Sequence, residues 1–320
     1  MSRPIGAPDV RIGTAGWSIP RAAAGRFDSP GTHLQRYSCR LNCAEINSSF
    51  YRPHAASTYA KWRDSTPAGF QFAVKIPKTI THELKLRAAR EAFDAFLAQT
   101  DGLADKRGPL LLQLPPSLAF ESRVVTRFFN EVRRVYAGPM VCEPRHATWF
   151  APLVASLLER YAISRVGADP PPVPDASTPA GWARLAYFRL HGSPRTYWSR
   201  YDENAIATLA ATIGKMSIAG QVWCVFDNTA SGAAIENACD LRDRVGAGAS
   251  QESGDVTMPF KSQAQRRKFA QLLVEGKISD QTFEEWNRET GSKKLPERVG
   301  SATKSKKAPS ARKRPAAKKK

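Results

Sequence analysis

The 320-residue sequence has no apolar run approaching the ~18 residues needed to span a bilayer, and its first twenty residues lack the apolar stretch of a secretory leader. Both absences predict a cytoplasmic protein with no membrane partner. Cysteine is scarce: Cys39, Cys43, Cys142, Cys224 and Cys239 are odd in number, scattered and never paired as CxxC. That pattern suits neither a disulfide framework nor a structural zinc site. Neither GxGxxG nor GxxxxGK[ST] occurs, so the usual nucleotide cofactors are not indicated and no cofactor is assigned. A nucleophile elbow and an HExxH pair are missing as well, and no residue is assigned as a metal ligand.

Acid is also missing from one end of the chain. Residues 301–320 hold nine Lys/Arg and no Asp or Glu, and residues 258–300 hold nine bases against six acids. Of the net charge of +19, residues 1–257 therefore carry only about +7, so any argument for nucleic acid belongs to the tail. The stretch KSKKAPSARKRPAAKKK (304–320) cannot bury a core and is expected to be disordered. Its charge favours non-specific nucleic-acid contact through phosphates, without base selection, over a solvated tail that merely aids solubility; an acidic protein or lipid surface is the alternative partner.

What the sequence does contain is a rhythm. Eight short segments read as buried strands: VRIGTAGW (10–17), CAEINSSF (43–50), FQFAVKIP (70–77), PLLLQLPP (109–116), PMVCEPRH (139–146), AISRVGAD (162–169), LAYFRLHG (185–192) and QVWCVFDN (221–228). Between them lie helical patterns over 32–41, 57–65, 90–103, 122–136, 151–161, 203–216 and 231–245. PPPVPDASTPAG (170–181) is too rich in proline for a regular helix and predicts a stiff loop. Eight repeats within about 245 residues predict an α/β fold, a (β/α)8 TIM barrel, with an open doubly wound sheet as the alternative.

Side-chain alternation favours the barrel. Within the strands Ala44 and Ile46, Val74 and Ile76, Leu112 and Leu114, and Phe188 and Leu190 take one parity, while Glu45, Asn47, Lys75, Gln113, Glu143, Arg145, Arg189, His191 and Asp227 take the other. In a barrel the second set faces the lumen near the carboxyl ends of the strands, where barrel enzymes gather their reactive groups.

GTAGW (13–17), EINSSFY (45–51), FAVKIPKTITH (72–82), LLQLPPS (111–117), EPRHATW (143–149), RLHG (189–192) and FDN (226–228) together resemble the YecE-like family, domain of unknown function 72, over roughly residues 9–245. The resemblance implies a (β/α)8 fold and no particular reaction. Carried over by position, it marks Thr14, Gly16, Trp17, Glu45, Asn47, Tyr51, Lys75, Gln113, Glu143, Arg145, His146, Asp169, Arg189, His191, Asp227 and Asn228. Pro144, Ala15 and Thr148 depart from the family pattern without removing a charge.

The expected organisation is a barrel over 1–245, a Gly/Ser-rich linker over 246–257, a small helical module over 258–299 and the basic tail from 300. MPFKSQAQRRKF (258–269) with the later KLPER (294–298) resembles a short module found alone or appended to other proteins. Glu45, Glu143, His191 and Asp227 are the candidate catalytic groups. Asn47, Tyr51, Lys75, Gln113, Arg145, His146, Arg189, Asn228 and Trp17 are the candidates for binding a small anionic ligand, phosphorylated, sugar-like or nucleotide-like. Two mechanisms fit the set. In one the acids, Asp169 included, and the histidines hold a divalent metal; in the other the arginines and Lys75 hold an anion while Glu45 or His191 moves a proton. A structural reading stands beside them, with Glu143–Arg189 or Asp227–Arg145 as ion pairs closing the barrel top. Enzyme and non-catalytic binding module, tethered by the tail, both remain open.

Overall fold

The computed structural model describes residues 9–27, 29–216, 220–254, 262–274 and 296–297. Ten strands form one sheet: β1 (Asp9–Ala15), β2 (Cys43–Ile46), β3 (Gln71–Lys75), β4 (Arg107–Gln113), β5 (Met140–Glu143), β6 (Ile163–Arg165), β7 (Gly167–Asp169), β8 (Ala180–Gly181), β9 (Leu185–Leu190) and β10 (Gln221–Phe226). All neighbours are parallel except the two-residue β8, which lies antiparallel on β6. β1 pairs with both β2 and β10. The ring is completed by the sixth predicted strand, which splits at Val166: β6 bonds to β5, and β7 bonds to β9. A single segment thus spans the seam, and the eight expected strand segments form a TIM-barrel-like ring.

Around it run α1 (His33–Arg40), α2 (Ala56–Asp64), α3 (Arg90–Thr100), α4 (Ser122–Arg133), α5 (Pro152–Arg160), α6 (Glu203–Lys215) and α7 (Ala233–Gly254). Local chemistry explains several starts. Thr32 and Gln35 form a capping box on α1, Pro152 supplies the preset φ of the first turn of α5, and Asp202 accepts from the Ala205 N–H at 2.8 Å on α6. The proline-rich stretch forms no long helix, only a 3-10 turn at Pro174–Ser177 and then β8. Helix α7 continues to Gly254, across most of the stretch expected as a linker; its Ala and polar residues are compatible with helix despite the glycines. Among the described residues no helix is long and apolar enough to cross a membrane.

Two apolar layers follow from strand alternation. Phe72, Val74, Leu110, Leu112, Phe188 and Cys224 face outward, in one core with helix residues such as Phe93, Phe128 and Ile206. Cys43, Ala73, Leu111, Val141, Tyr187, Trp223 and Val225 fill the lower lumen. Trp223 stacks on Tyr187 with ring centroids 5.9 Å apart, and its indole occupies the space a side chain on Gly108 would need: a Cβ there would come within 2.7 Å. The lumen is therefore closed below by aromatic packing and is polar only above it.

A second compact unit begins at Gly248. Within it α8 (Gln263–Val274) starts at Ser262, whose Oγ accepts from the Gln265 N–H, and residues 296–297 accept from the first N–H groups of the helix. The rest of the expected 258–299 module, residues 255–257 of the expected linker and the tail from 300 lie outside the described residues.

Candidate active site

At the carboxyl ends of β2, β5, β9 and β10 three acids converge on one guanidinium. Arg189 is 1% exposed. Its Nε and Nη2 donate to Glu45 Oε2 and Oε1 at 3.0 and 2.7 Å, its Nη1 to Glu143 Oε2 at 2.7 Å, and its Nη2 also to Asp227 Oδ2 at 2.8 Å. The paired fork on Glu45 is the strong bidentate geometry. Tyr187, one lumen position below Arg189, donates its hydroxyl to Glu45 Oε2 at 2.9 Å.

Strand pairing explains the convergence. Glu45, Glu143 and Arg189 each stand at or one residue before the carboxyl end of a strand on its lumen-facing parity, and Gln113 sits opposite Glu143. Asp227 and His191 lie just past their strands, yet their N–H groups still reach Leu190 O and Asp169 O at 2.8 and 2.7 Å. The ladder continues one step, and alternation still aims both side chains inward.

His191 is fully buried between two carboxylates. Its Nε2 lies 2.9 Å from Glu143 Oε1, and its Nδ1 lies 3.1 Å from Asp227 Oδ2, in an alignment too oblique for a good hydrogen bond. Arg145 Nη2 donates to Glu143 Oε1 and is also 2.7 Å from His191 Nε2. Which of these contacts Nε2 makes depends on the tautomer of the ring. With a proton on Nε2 the imidazole donates to Glu143; without it Nε2 accepts from Arg145. Desolvation pushes the Glu143 carboxyl up, but Arg189, Arg145 and His191 outweigh it and hold it well below the usual range. Asp227 is lowered in the same way, burial being overcome by Arg189 and His191.

Lys75, at the end of β3, is buried beside this network but outside it. Its Nζ lies 4.2 Å from the centre of the Phe50 ring, and among the described residues it meets no carboxylate at ion-pair distance. Desolvation, with Arg189 adding, lowers its pKa to about 8 against the pull of Glu45, Glu143 and Asp227. Arg145 Nε, and Asn47 Oδ1 just past β2, are buried without hydrogen-bond partners. Tyr197 is half-exposed, and its ring stands edge-on to His191 at 5.7 Å, so the loop after β9 lies over the imidazole.

The structure thus brings Glu45, Glu143, Arg145, Arg189, His191 and Asp227 into contact, with Lys75 close enough to feel their charge. Gln113 is half-buried beside Glu143 in the ladder. Other candidates are used elsewhere. Asp169 accepts from the Tyr201 hydroxyl at 2.5 Å, outside the carboxylate cluster. His146 caps the short turn at Ala147–Phe150 by accepting from the Thr148 N–H. Asn228 donates to Ser199 O and Asn237 Oδ1, bracing the loop after β9. Trp17 packs edge-on against Trp62 and Phe72 in the outer core, and Tyr51 is 71% exposed. For the metal-binding alternative, Arg189 stands at the point where the carboxylates converge, and the described residues contain no cluster of three donors placed to hold an ion.

Sequence reasoning missed Tyr187 and Phe50. Tyr187 was findable: it shares the parity of Arg189 in LAYFRLHG. Phe50 was not, because its place over Lys75 depends on how the turn after β2 folds back.

The model of the family described as "Protein of unknown function DUF72" matches residues 11–262. The chain belongs to the DUF72 family. Among curated DUF72 relatives, the UPF0759 protein YunF of Bacillus subtilis is 26% identical over 207 residues, 60% of this chain and 73% of YunF. The UPF0759 protein YecE of Escherichia coli K12 is 32% identical over 106 residues, a match spanning 33% of this chain and only 38% of YecE. Crystal structures of DUF72 proteins from Enterococcus faecalis and Thermotoga maritima superpose with TM-scores of 0.62 each. At 22% and 23% identity they cover 75% and 74% of this chain and 99% of each structure. They share the barrel fold.

Proposed function

We propose that the mouth of this DUF72 barrel is an active site for a small anionic substrate. In it Arg145 receives the anionic group and the His191–Glu143 pair moves a proton. The observation that carries this reading is the buried network itself. Three carboxylates, two arginines and an imidazole from four strands meet in a lumen otherwise filled with apolar side chains, and Arg145 Nε within it is buried without a hydrogen-bond partner. Packing alone is served as well or better by apolar residues. Perturbed, hydrogen-bonded charges at strand carboxyl ends are the usual material of barrel catalysis.

Arg189 is the positioning residue in this scheme. Its donors hold Glu45, Glu143 and Asp227, while Arg145, 18% exposed at the side chain, is the guanidinium that substrate can reach. Inorganic phosphate is the simplest probe. Calorimetric titration should show it binding the wild-type chain, and Arg145→Gln should weaken that binding about 10- to 100-fold, the worth of a charge-assisted pair. Equal phosphate affinity in the two proteins would remove Arg145 from the site.

The tail supports a second arm of the reading, an attachment to nucleic acid through residues 301–320, which hold nine bases and no acid. If about six phosphates are engaged, log affinity for duplex DNA should fall with log salt at a slope near −5, and deletion of 301–320 should flatten it. Binding that ignores salt would exclude this attachment.

A further inference from the structure

Among the described residues two lysines are buried, and they are treated in opposite ways. Lys106 Nζ donates to Arg63 O, Thr66 O and Thr66 Oγ1 at 2.7, 2.6 and 3.1 Å, which satisfies all three ammonium protons. Lys75 is equally buried, yet among the described residues its Nζ has only the face of Phe50. Taking most of a lysine side chain out of water with no protein acceptor for its ammonium is costly and serves no packing purpose that methionine or leucine would not serve better. We propose that Lys75 is a covalent amine, whose Nζ condenses with the carbonyl carbon of a small aldehyde, ketone or 2-oxo acid carrying an anionic group held by Arg145. This deepens the reading of the mouth as an anion-binding active site and rests on it.

The surroundings suit the step. Cation–π contact with Phe50 holds the nitrogen without tying it up in hydrogen bonds. Burial, with Arg189 from β9 adding to it, disfavours the ammonium, while Glu45, Glu143 and Asp227 from β2, β5 and β10 favour it. His82 is the other titratable ring at this side: it stands edge-on to Phe50 at 5.0 Å and itself feels Lys75. With the amine titrating at about 8, about one molecule in ten carries a neutral nucleophile at pH 7.

The reaction balances without an outside reagent. The ammonium gives one proton to the His191–Glu143 pair. The neutral nitrogen then adds to the carbonyl carbon, forming the C–N bond as the C=O π pair moves to oxygen. That oxygen takes a second proton from nitrogen and the stored one from His191, and leaves as water while the nitrogen lone pair closes the C=N bond. Of the three ammonium protons one stays on the iminium nitrogen and two depart in the water.

The test is reductive trapping of the full-length chain with pyruvate, and separately with glycolaldehyde phosphate, in the presence of cyanoborohydride. Adducts are located by peptide mass spectrometry. Lys75 should be labelled at least about tenfold faster than the exposed Lys61 and Lys85, Lys75→Arg should carry no adduct at position 75, and Arg145→Gln should slow labelling about tenfold. Labelling at Lys75 no faster than at Lys61 and Lys85 with both probes overturns the proposal. If phosphate still binds the wild-type chain and binds Arg145→Gln weakly, the imine alone has failed; if phosphate binding fails too, so has the reading of the mouth.

Discussion

Arg189→Met is expected to destabilise the barrel by about 3–5 kcal/mol at pH 7, measured by urea or thermal unfolding. The guanidinium is the shared counterion of Glu45, Glu143 and Asp227, and removing it leaves buried carboxylates with no cation on that side. The pH dependence should flatten. In the wild type Glu143 and Asp227 have folded pKa values below their unfolded ones of 4.5 and 3.8. Their contribution is full above those unfolded values and is lost as pH falls through the folded ones, so acid weakens the protein. Without Arg189 the largest force holding both carboxyls ionised is gone, while Arg145 and His191 remain, so their folded pKa values should rise toward the unfolded ones. The variant should then lose less stability than the wild type as pH falls. Parallel acid limbs in the two proteins would show that Arg189 is not the group holding these carboxylates ionised.

Lys75→Met should act in the opposite direction and raise stability at pH 7 by about 2 kcal/mol. A pKa of about 8 against 10.5 corresponds to a penalty of about 3 kcal/mol, part of which the lost contact with Phe50 returns. The sign follows from proton uptake. Between pH 8 and 10.5 the unfolded chain holds a proton on Lys75 that the folded chain has released, so the penalty is complete below about 8 and fades as pH climbs toward 10.5. The advantage of the variant over the wild type should shrink across that window. An advantage that stays constant to pH 10.5 would mean that Lys75 is not held as a strained ammonium. A substitution that stabilises the fold while abolishing function is the expected behaviour of a residue kept for chemistry.

Alternation along the strands was enough to find the lumen and most of its charged groups, since parity is fixed wherever the ladder persists. It persists one step past β9 and β10, which is why His191 and Asp227 were readable. It ends at Ile46 on β2 and at Glu143 on β5, where Pro144 has no N–H to donate. Beyond those points the chain turns, and the residues marked by family resemblance scatter to local duties: Tyr51 to the surface and His146 to a turn cap. Trp17 and Asn228 likewise follow β1 and β10 and are taken up by the outer core and by the loop after β9. The sixth strand was read as continuous because no proline or asparagine interrupts AISRVGAD; its division at Val166 is set by having different partners on the two sides. The extension of α7 was hidden by glycines and serines that weaken a helix without forbidding it.

Because β1 is zipped to β10, Asp9 and Gln221 are neighbours across 212 positions of sequence. A ribosome must therefore deliver almost the whole barrel before the first strand finds its second partner. Glu45 and Glu143 emerge long before Arg189, so a nascent chain that stops short of β9 has acids destined for the interior and no cation to neutralise them. Premature closure is thereby disfavoured, and the barrel is committed to assembling late and all at once.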